Sequence, residues 1–183
     1  PVLNNAFYEV LVAFDFSESL LIPSKIFKTE EAGVLLNASY GVNNLSTVIS
    51  ESITRWQLYN IFAVPTEVKD WINRKFPTAR FWHQYPLDVR NSIGVTEEGR
   101  LQVDFRKTEF VVIAANRNNI LLTQTFDYTT PEDVLFYLLK TCKQFSLSRE
   151  RVELQLSGLV DKQSSLYKEL YQYFINIDFR NAL

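Results

Sequence analysis

The residues able to do chemistry fall in two short turns. Asp104, Arg106, Lys107 and Thr108 combine a carboxylate, two cations and a hydroxyl, groups that contact phosphate or hold magnesium through water. Ser157 and Gly158 form the second turn, where a glycine lets a ligand's ring approach the backbone just ahead of a helix. Each turn also has a plain reading. Asp104 and Arg106 suit the polar face of an alternating strand, with Lys107 and Thr108 in a solvated hairpin, and Ser157 with Gly158 suits an ordinary strand-to-helix turn. Asp15, Phe16 and Ser17 follow a strand in the same way and take the same plain reading.

Other chemistries lack their parts. His83 is the one histidine, so a zinc site or a histidine relay would rest on it alone, and it is expected to end a strand with a hydrogen bond or solvent. Cys142 is the one cysteine, which excludes an intramolecular disulfide and a cysteine-rich metal site. The five glycines, at 33, 41, 94, 99 and 158, are scattered. A phosphate loop and a dinucleotide fingerprint both need glycines at close fixed spacing, so neither is present.

The elements that position the two turns are clearest from Leu101 to Phe179. Leu101, Val103 and Phe105 alternate with Gln102, Asp104 and Arg106, as a half-buried strand demands. Phe110–Ala115 is continuously apolar, as in a strand covered on both faces, and Asn116, Arg117, Asn118 and Asn119 turn the chain into a third strand, Ile120–Phe126. Thr130, Pro131, Glu132 and Asp133 open a helix running to about Phe145: a cap hydroxyl, a proline where no N–H is needed, and acids at the positive dipole end. Leu135, Leu138, Leu139 and Cys142 give that helix one apolar stripe, which places the thiol in the core. Val152, Leu154 and Leu156 form the next strand, Ser165–Phe174 a second helix, and Ile175–Phe179 an edge strand. Three antiparallel strands followed by helix, strand, helix and strand suggest a ribonuclease H-like unit.

The first half reads less sharply. Phe7–Phe14 is a strand, and Leu20–Tyr40 is read as two short helices with Pro23 in a first turn, Thr29 as a cap and Gly41 as the stop. After a turn at Asn43 and Asn44, Thr47–Ile53 and Gln57–Val64 pair as a hairpin near Arg55. A helix from Pro65 and Thr66 carries Val68, Trp71, Ile72 and Lys75 at helical spacing and ends at Pro77, and Ala79–Trp82 is a strand. Tyr85–Ile93 is a further helix closing at Gly94, and Glu97, Glu98 and Gly99 link the halves. The division is therefore expected between residues 1–98 and 99–183. The helix around Trp71 runs into Phe81 as the helix around Leu170 runs into Phe179, which fits two subdomains of similar topology.

At 183 residues, 46% hydrophobic and 22% charged, the composition is that of an ordinary globular chain. A net charge of −2 provides no basic field for nucleic acid. No apolar run approaches the roughly 18 residues of a membrane span, and the lone cysteine fits a reducing compartment, so a cytoplasmic address is expected. The sequence opens at Pro1 and holds no methionine, from which an upstream start is expected.

Phe126, Asp127, Tyr128, Thr129, Thr130, Pro131, Glu132 and Asp133, then Leu156, Ser157 and Gly158, then Asp161, Lys162, Ser165, Leu166 and Tyr167 resemble an uncharacterised family, found mainly in Bacteroidetes, of domain-of-unknown-function proteins with an actin-like ATPase fold. The resemblance extends back through Phe62–Pro65 and Phe76–His83. It implies a mixed α/β fold of two ribonuclease H-like subdomains, the first lacking its initial strands. In the wider superfamily of actins, sugar kinases and heat-shock chaperones, ATP lies between the subdomains on two glycine-containing phosphate hairpins and a glycine-rich adenosine motif. By position, Asp104–Thr108 is similar to the second phosphate hairpin and Ser157 with Gly158 to the adenosine motif, and the implied cofactors are ATP and magnesium. Arg106 and Lys107 stand where glycines are expected, and Leu159 follows Gly158 where a further glycine is usual. The expectation is therefore a non-catalytic actin-like interaction or assembly module with degenerate nucleotide loops and a protein partner. The alternative is an ATP-binding enzyme in which Asp104 holds magnesium through water and Arg106 or Lys107 supports a phosphate. A third reading, a nucleic-acid-binding ribonuclease H-like domain, needs carboxylates gathered around Asp104 for two metals.

Overall fold

The computed structural model describes residues 9–41, 45–85, 89, 96–117 and 119–180, and the chain divides into two units, Pro1–Arg90 and Asn91–Leu183. In the first unit β1 (Leu11–Phe14), β2 (Ser19–Pro23), α1 (Ala32–Tyr40), β3 (Ser46–Ile53), β4 (Leu58–Pro65), α2 (Thr66–Lys75) and β5 (Arg80–His83) follow in order. β2, β4 and β3 make an antiparallel sheet, and β1 pairs in parallel with β5. Successive side chains of a strand point to opposite faces, and β4 uses both. Ile61 and Ala63 pack on Ala32 and Leu36 of α1, while Phe62 and Val64 pack on Phe14 and Ile72.

Several expectations for this unit change. Leu20–Ile22 is strand, not helix, because β2 bonds along β4 and the buried Ser19 hydroxyl donates to Asn60 Oδ1 at 2.7 Å. Pro23 ends this edge strand, where a missing N–H is harmless. Thr29 lies inside a short 3-10 turn, Thr29–Glu31, and caps nothing. Gly41 does stop α1: its φ is +66° and its N–H donates to the Asn37 carbonyl. Of the apolar stripe expected on α2, only Ile72 is buried, and Val68 and Trp71 are exposed. Of the helix expected over Tyr85–Ile93, residues 86–88 and 90–93 lie outside the described residues, as do Phe7, Asn43, Asn44 and Asn118.

In the second unit β6 (Arg100–Phe105), β7 (Glu109–Ala115), β8 (Ile120–Asp127), α3 (Pro131–Gln144), β9 (Glu153–Gly158), α4 (Ser165–Tyr171) and β10 (Asn176–Phe179) follow the expected order. The sheet runs β10-β9-β6-β7-β8, with β6 to β8 an antiparallel meander and β6, β9 and β10 parallel. Leu101, Val103, Phe105, Leu154 and Leu156 on one face meet Leu135, Leu138 and Cys142 of α3 and Leu166 and Leu170 of α4. α3 begins as its sequence dictates: the Thr130 hydroxyl accepts the Asp133 N–H at 3.3 Å, and Asp133 Oδ2 accepts the Thr129 and Thr130 N–H groups, each at 2.9 Å. Two variants on this helix test the layering. Leu138→Ala, in the core, lowers unfolding free energy in urea by about 2–5 kcal/mol, whereas Phe136→Ala, two residues away on the exposed side, changes it by less than about 0.5 kcal/mol.

Candidate functional site

β8 runs parallel to β6, because each is antiparallel to β7, so β6, β8, β9 and β10 all end at one edge of the second unit's sheet. Ligands of α/β sheets bind at such carboxyl ends. The six residues singled out in the sequence collect there, since Asp104 pairs with Ser157 and Phe105 with Gly158 in the parallel β6–β9 register.

Asp104 is half-buried, and the Ser157 hydroxyl donates to its Oδ1 at 2.7 Å. This bond is the last rung of a ladder. Gln102 Nε2 donates to Gln155 Oε1 at 3.4 Å, and Arg100 meets Glu153 Oε2 at 2.7 Å, each across the same strand pair. The polar face expected to be solvated on β6 is thus partly covered and internally bonded: Gln102 is buried.

Beyond Asp104 the chain turns sharply. The Arg106 N–H donates to the Glu109 carbonyl at 2.9 Å, and the Arg106 guanidinium pairs with the Glu109 carboxylate at 2.7 Å. Tyr128 closes the hairpin from outside, its hydroxyl donating to the Arg106 carbonyl and its N–H to the Thr108 carbonyl, both at 3.0 Å. Lys107 and Thr108 are exposed at the tip. Glu109 and Tyr128 were not visible as partners of this turn. The ladder had a signal: polar residues at alternate positions in both strands, with opposite charges at Arg100 and Glu153.

Gly158 has φ +80°, and a Cβ placed on it would overlap the Phe105 carbonyl oxygen and come within 2.8 Å of the Phe105 nitrogen. The Leu159 N–H then donates to that same carbonyl at 2.7 Å. The glycine therefore serves the close approach of two protein backbones.

The helix ends at this edge carry their own caps. The Asp133 carboxyl lies below the usual carboxylate range, held there first by the Thr129 N–H and then by that of Thr130. Asp161 Oδ1 accepts the Gln163 and Ser164 N–H groups, and the Ser164 hydroxyl accepts that of Tyr167 at 3.1 Å. A triphosphate with magnesium asks for free backbone N–H groups, unpaired cations and carboxylates. Here the Arg106 guanidinium, the Gly158 turn and the starts of α3 and α4 are engaged within the protein, while Lys107 and Thr108 stay exposed at the hairpin tip. Among the described residues, no three His, Cys, Asp or Glu side chains gather as a metal site.

His83, in the first unit, is buried at the end of β5 and spends both ring nitrogens on backbone. The Tyr85 N–H donates to Nδ1 at 3.1 Å, so Nε2 carries the proton and donates to the Phe16 carbonyl at 2.9 Å. Cys142 is buried, and burial pushes its thiol up to about 11.

The profile of the family described as "Protein of unknown function (DUF3822)" matches residues 1–177. The chain belongs to this family. Among solved structures, a protein with actin-like ATPase fold and unknown function from Bacteroides thetaiotaomicron is similar with a TM-score of 0.88 and 23% identity, covering 97% of this chain and 70% of that one. The PilM-PilN type IV pilus biogenesis complex is similar with a TM-score of 0.56 and 12% identity, covering 96% and 70%. No curated protein matches the chain. These likenesses establish the fold of this DUF3822 member as actin-like, a mixed α/β architecture. No helix among the described residues is long and apolar enough to cross a membrane.

Two measurements check the roles found for the family member's own residues. Gly158→Ala lowers stability by at least about 2 kcal/mol in urea denaturation, since it combines an unfavourable φ with a backbone overlap, while Ser157→Ala, losing one hydrogen bond, lowers it by about 1 kcal/mol. Iodoacetamide at about pH 8 leaves Cys142 unmodified in the native protein and alkylates it in denaturant, because the thiolate is the nucleophile.

Proposed function

We propose that this chain is a non-catalytic actin-like interaction or assembly module that works with a protein partner, in the reducing environment of the cytoplasm. The observation that carries the reading is the engagement of Gly158 with the Phe105 backbone, at the turn where the resemblance would seat a nucleotide's base. The Arg106–Glu109 pair and the Asp133 cap point the same way, because each satisfies within the chain a charge or N–H group that phosphate would otherwise take. PilM-PilN supports a protein as the class of partner, since that neighbour of the same fold is found in a complex. The single unpaired cysteine supports the address.

The competing reading is ATP binding, in which Asp104 holds magnesium through water and Lys107 supports a phosphate. It is favoured by the exposure of Lys107 and Thr108 beside the Asp104–Ser157 pair. Thermal unfolding with and without ATP and magnesium separates the two. A ligand at a hundred times its Kd adds about 2.7 kcal/mol, which for a chain of this length is a rise of about 5–10 °C in Tm. The module reading expects no shift beyond about 1 °C. A rise of several degrees that Asp104→Ala abolishes replaces it with the nucleotide-binding reading.

A further inference from the structure

A cavity of about 320 Å³ opens in the first unit where β2 and β3 begin, β4 ends and α1 stops. Ser46 lies opposite Pro65 and Ser19 opposite Phe62, which brings those strand ends together. The volume falls within the range of small-molecule pockets. Phe16, Ala63 and Pro65 give the cavity apolar walls, and Glu18, Tyr40 and Ser46 bring oxygen atoms to it. No lysine, arginine or histidine lines it among the described residues.

The segment that carries Glu18 is tied down on both sides of it. The buried His83 donates from Nε2 to the Phe16 carbonyl at 2.9 Å, the Ser19 N–H donates to the Ser17 carbonyl at 2.9 Å, and the Tyr40 hydroxyl donates to the Ser19 carbonyl at 3.0 Å. The Phe16 ring stacks on Phe14 with centroids 5.7 Å apart. Glu18 alone has nothing to bond. It is half-buried, yet among the described residues its side chain makes no hydrogen bond and no ion pair. Burial first, and then the Glu18 charge, push the Tyr40 hydroxyl up from its ordinary value, which makes the two groups neighbours. A carboxylate drawn partly out of water without a partner costs stability, a cost that binding sites commonly carry. Because the Tyr40 proton is given to Ser19, the phenolic oxygen offers a ligand an acceptor.

We propose that this cavity binds a small organic ammonium ion, its N–H groups donating to the Glu18 carboxylate and the Tyr40 oxygen and its hydrocarbon part lying against Phe16, Ala63 and Pro65. Other ligand classes fit less well. An anion meets no cation here and faces the Glu18 charge. Calcium or magnesium takes several oxygen ligands, usually with more than one carboxylate, and Glu18 is the one carboxylate lining the cavity among the described residues. A neutral apolar molecule would cover Phe16 and Ala63 but leave the carboxylate unanswered and drier than before. The site lies in the first unit, apart from the turns of the second unit on which the proposed function rests.

Backbone amide NMR with phenethylammonium chloride as the probe tests it. Titration at constant ionic strength is expected to move the Glu18, Gly41 and Ala63 amide signals along one saturable curve, with a Kd of about 1 mM or tighter. Phenethyl alcohol, with the same body and no charge, is expected to bind at least about tenfold more weakly, and Glu18→Gln to weaken phenethylammonium binding by a similar factor. Absence of a saturable shift overturns the proposal, as does equal binding of the alcohol, a comparison made on the native protein. Undiminished binding by a folded Glu18→Gln protein overturns it as well. Tighter binding of Nα-acetyl-lysine amide than of phenethylammonium gives the cavity to a lysine side chain of a partner and overturns its assignment to a small molecule.

Discussion

The parallel pairing of β6 with β9 is the constraint on which the second unit depends. It is not a local contact. β6 ends near Phe105 and β9 begins at Glu153, and between them the chain forms β7, β8 and α3. Loop closure over that length must be repaid by what the pairing assembles. One face delivers Leu101, Val103, Phe105, Leu154 and Leu156 to the core against α3 and α4, and the other aligns Arg100 with Glu153, Gln102 with Gln155 and Asp104 with Ser157. A slip of one residue would send the apolar set to the polar face and break every rung, so core and ladder enforce one register. Gly158 allows the same pairing to close at its last position, where any Cβ meets the Phe105 backbone.

Much of this was legible in the sequence, and the reason is periodicity. β6 and β9 alternate, α3 announces its start at Thr130–Asp133 and repeats its apolar residues at helical spacing, and each signal is local. The misreadings share the opposite property. Leu20–Ile22 is a short apolar run with Pro23 after it, compatible with a helix start or with an edge strand, and only β4, distant in sequence, decides. The stripe on α2 was read from spacing alone, but spacing says which residues share a face and not whether anything covers that face. Tyr128 escaped notice because a tyrosine following a strand carries no mark that its hydroxyl will close another hairpin.

The candidate residues show the same division. The sequence could place Asp104 near Ser157 only through the strand order, and the structure makes that contact a hydrogen bond of 2.7 Å. It could not say what Arg106 would do. A guanidinium in a turn is available to an anion until a carboxylate comes within reach, and Glu109, on the far side of the same hairpin, does so at 2.7 Å. His83 shows the limit from the other side. Its isolation argued against catalysis, but the tautomer that ties β5 to Phe16 follows from the Tyr85 N–H alone.

A hairpin with Arg106 and Lys107 in place of glycines differs in more than charge. Glycine-rich phosphate turns work because the backbone can adopt conformations closed to other residues and so point successive N–H groups at one anion. Here the positive-φ residues include Gly99 and Gly158 but neither Arg106 nor Lys107. The turn instead follows an ordinary hairpin course, its Arg106 N–H turned inward to Glu109 and its carbonyls at Arg106 and Thr108 directed to Tyr128. Substituting glycine at Lys107 would restore conformational freedom without removing Tyr128 or Glu109, which hold the turn from both sides. The difference from a glycine-rich turn is therefore distributed over four residues, Arg106, Lys107, Glu109 and Tyr128, that bond to or adjoin one another, and no single substitution removes it.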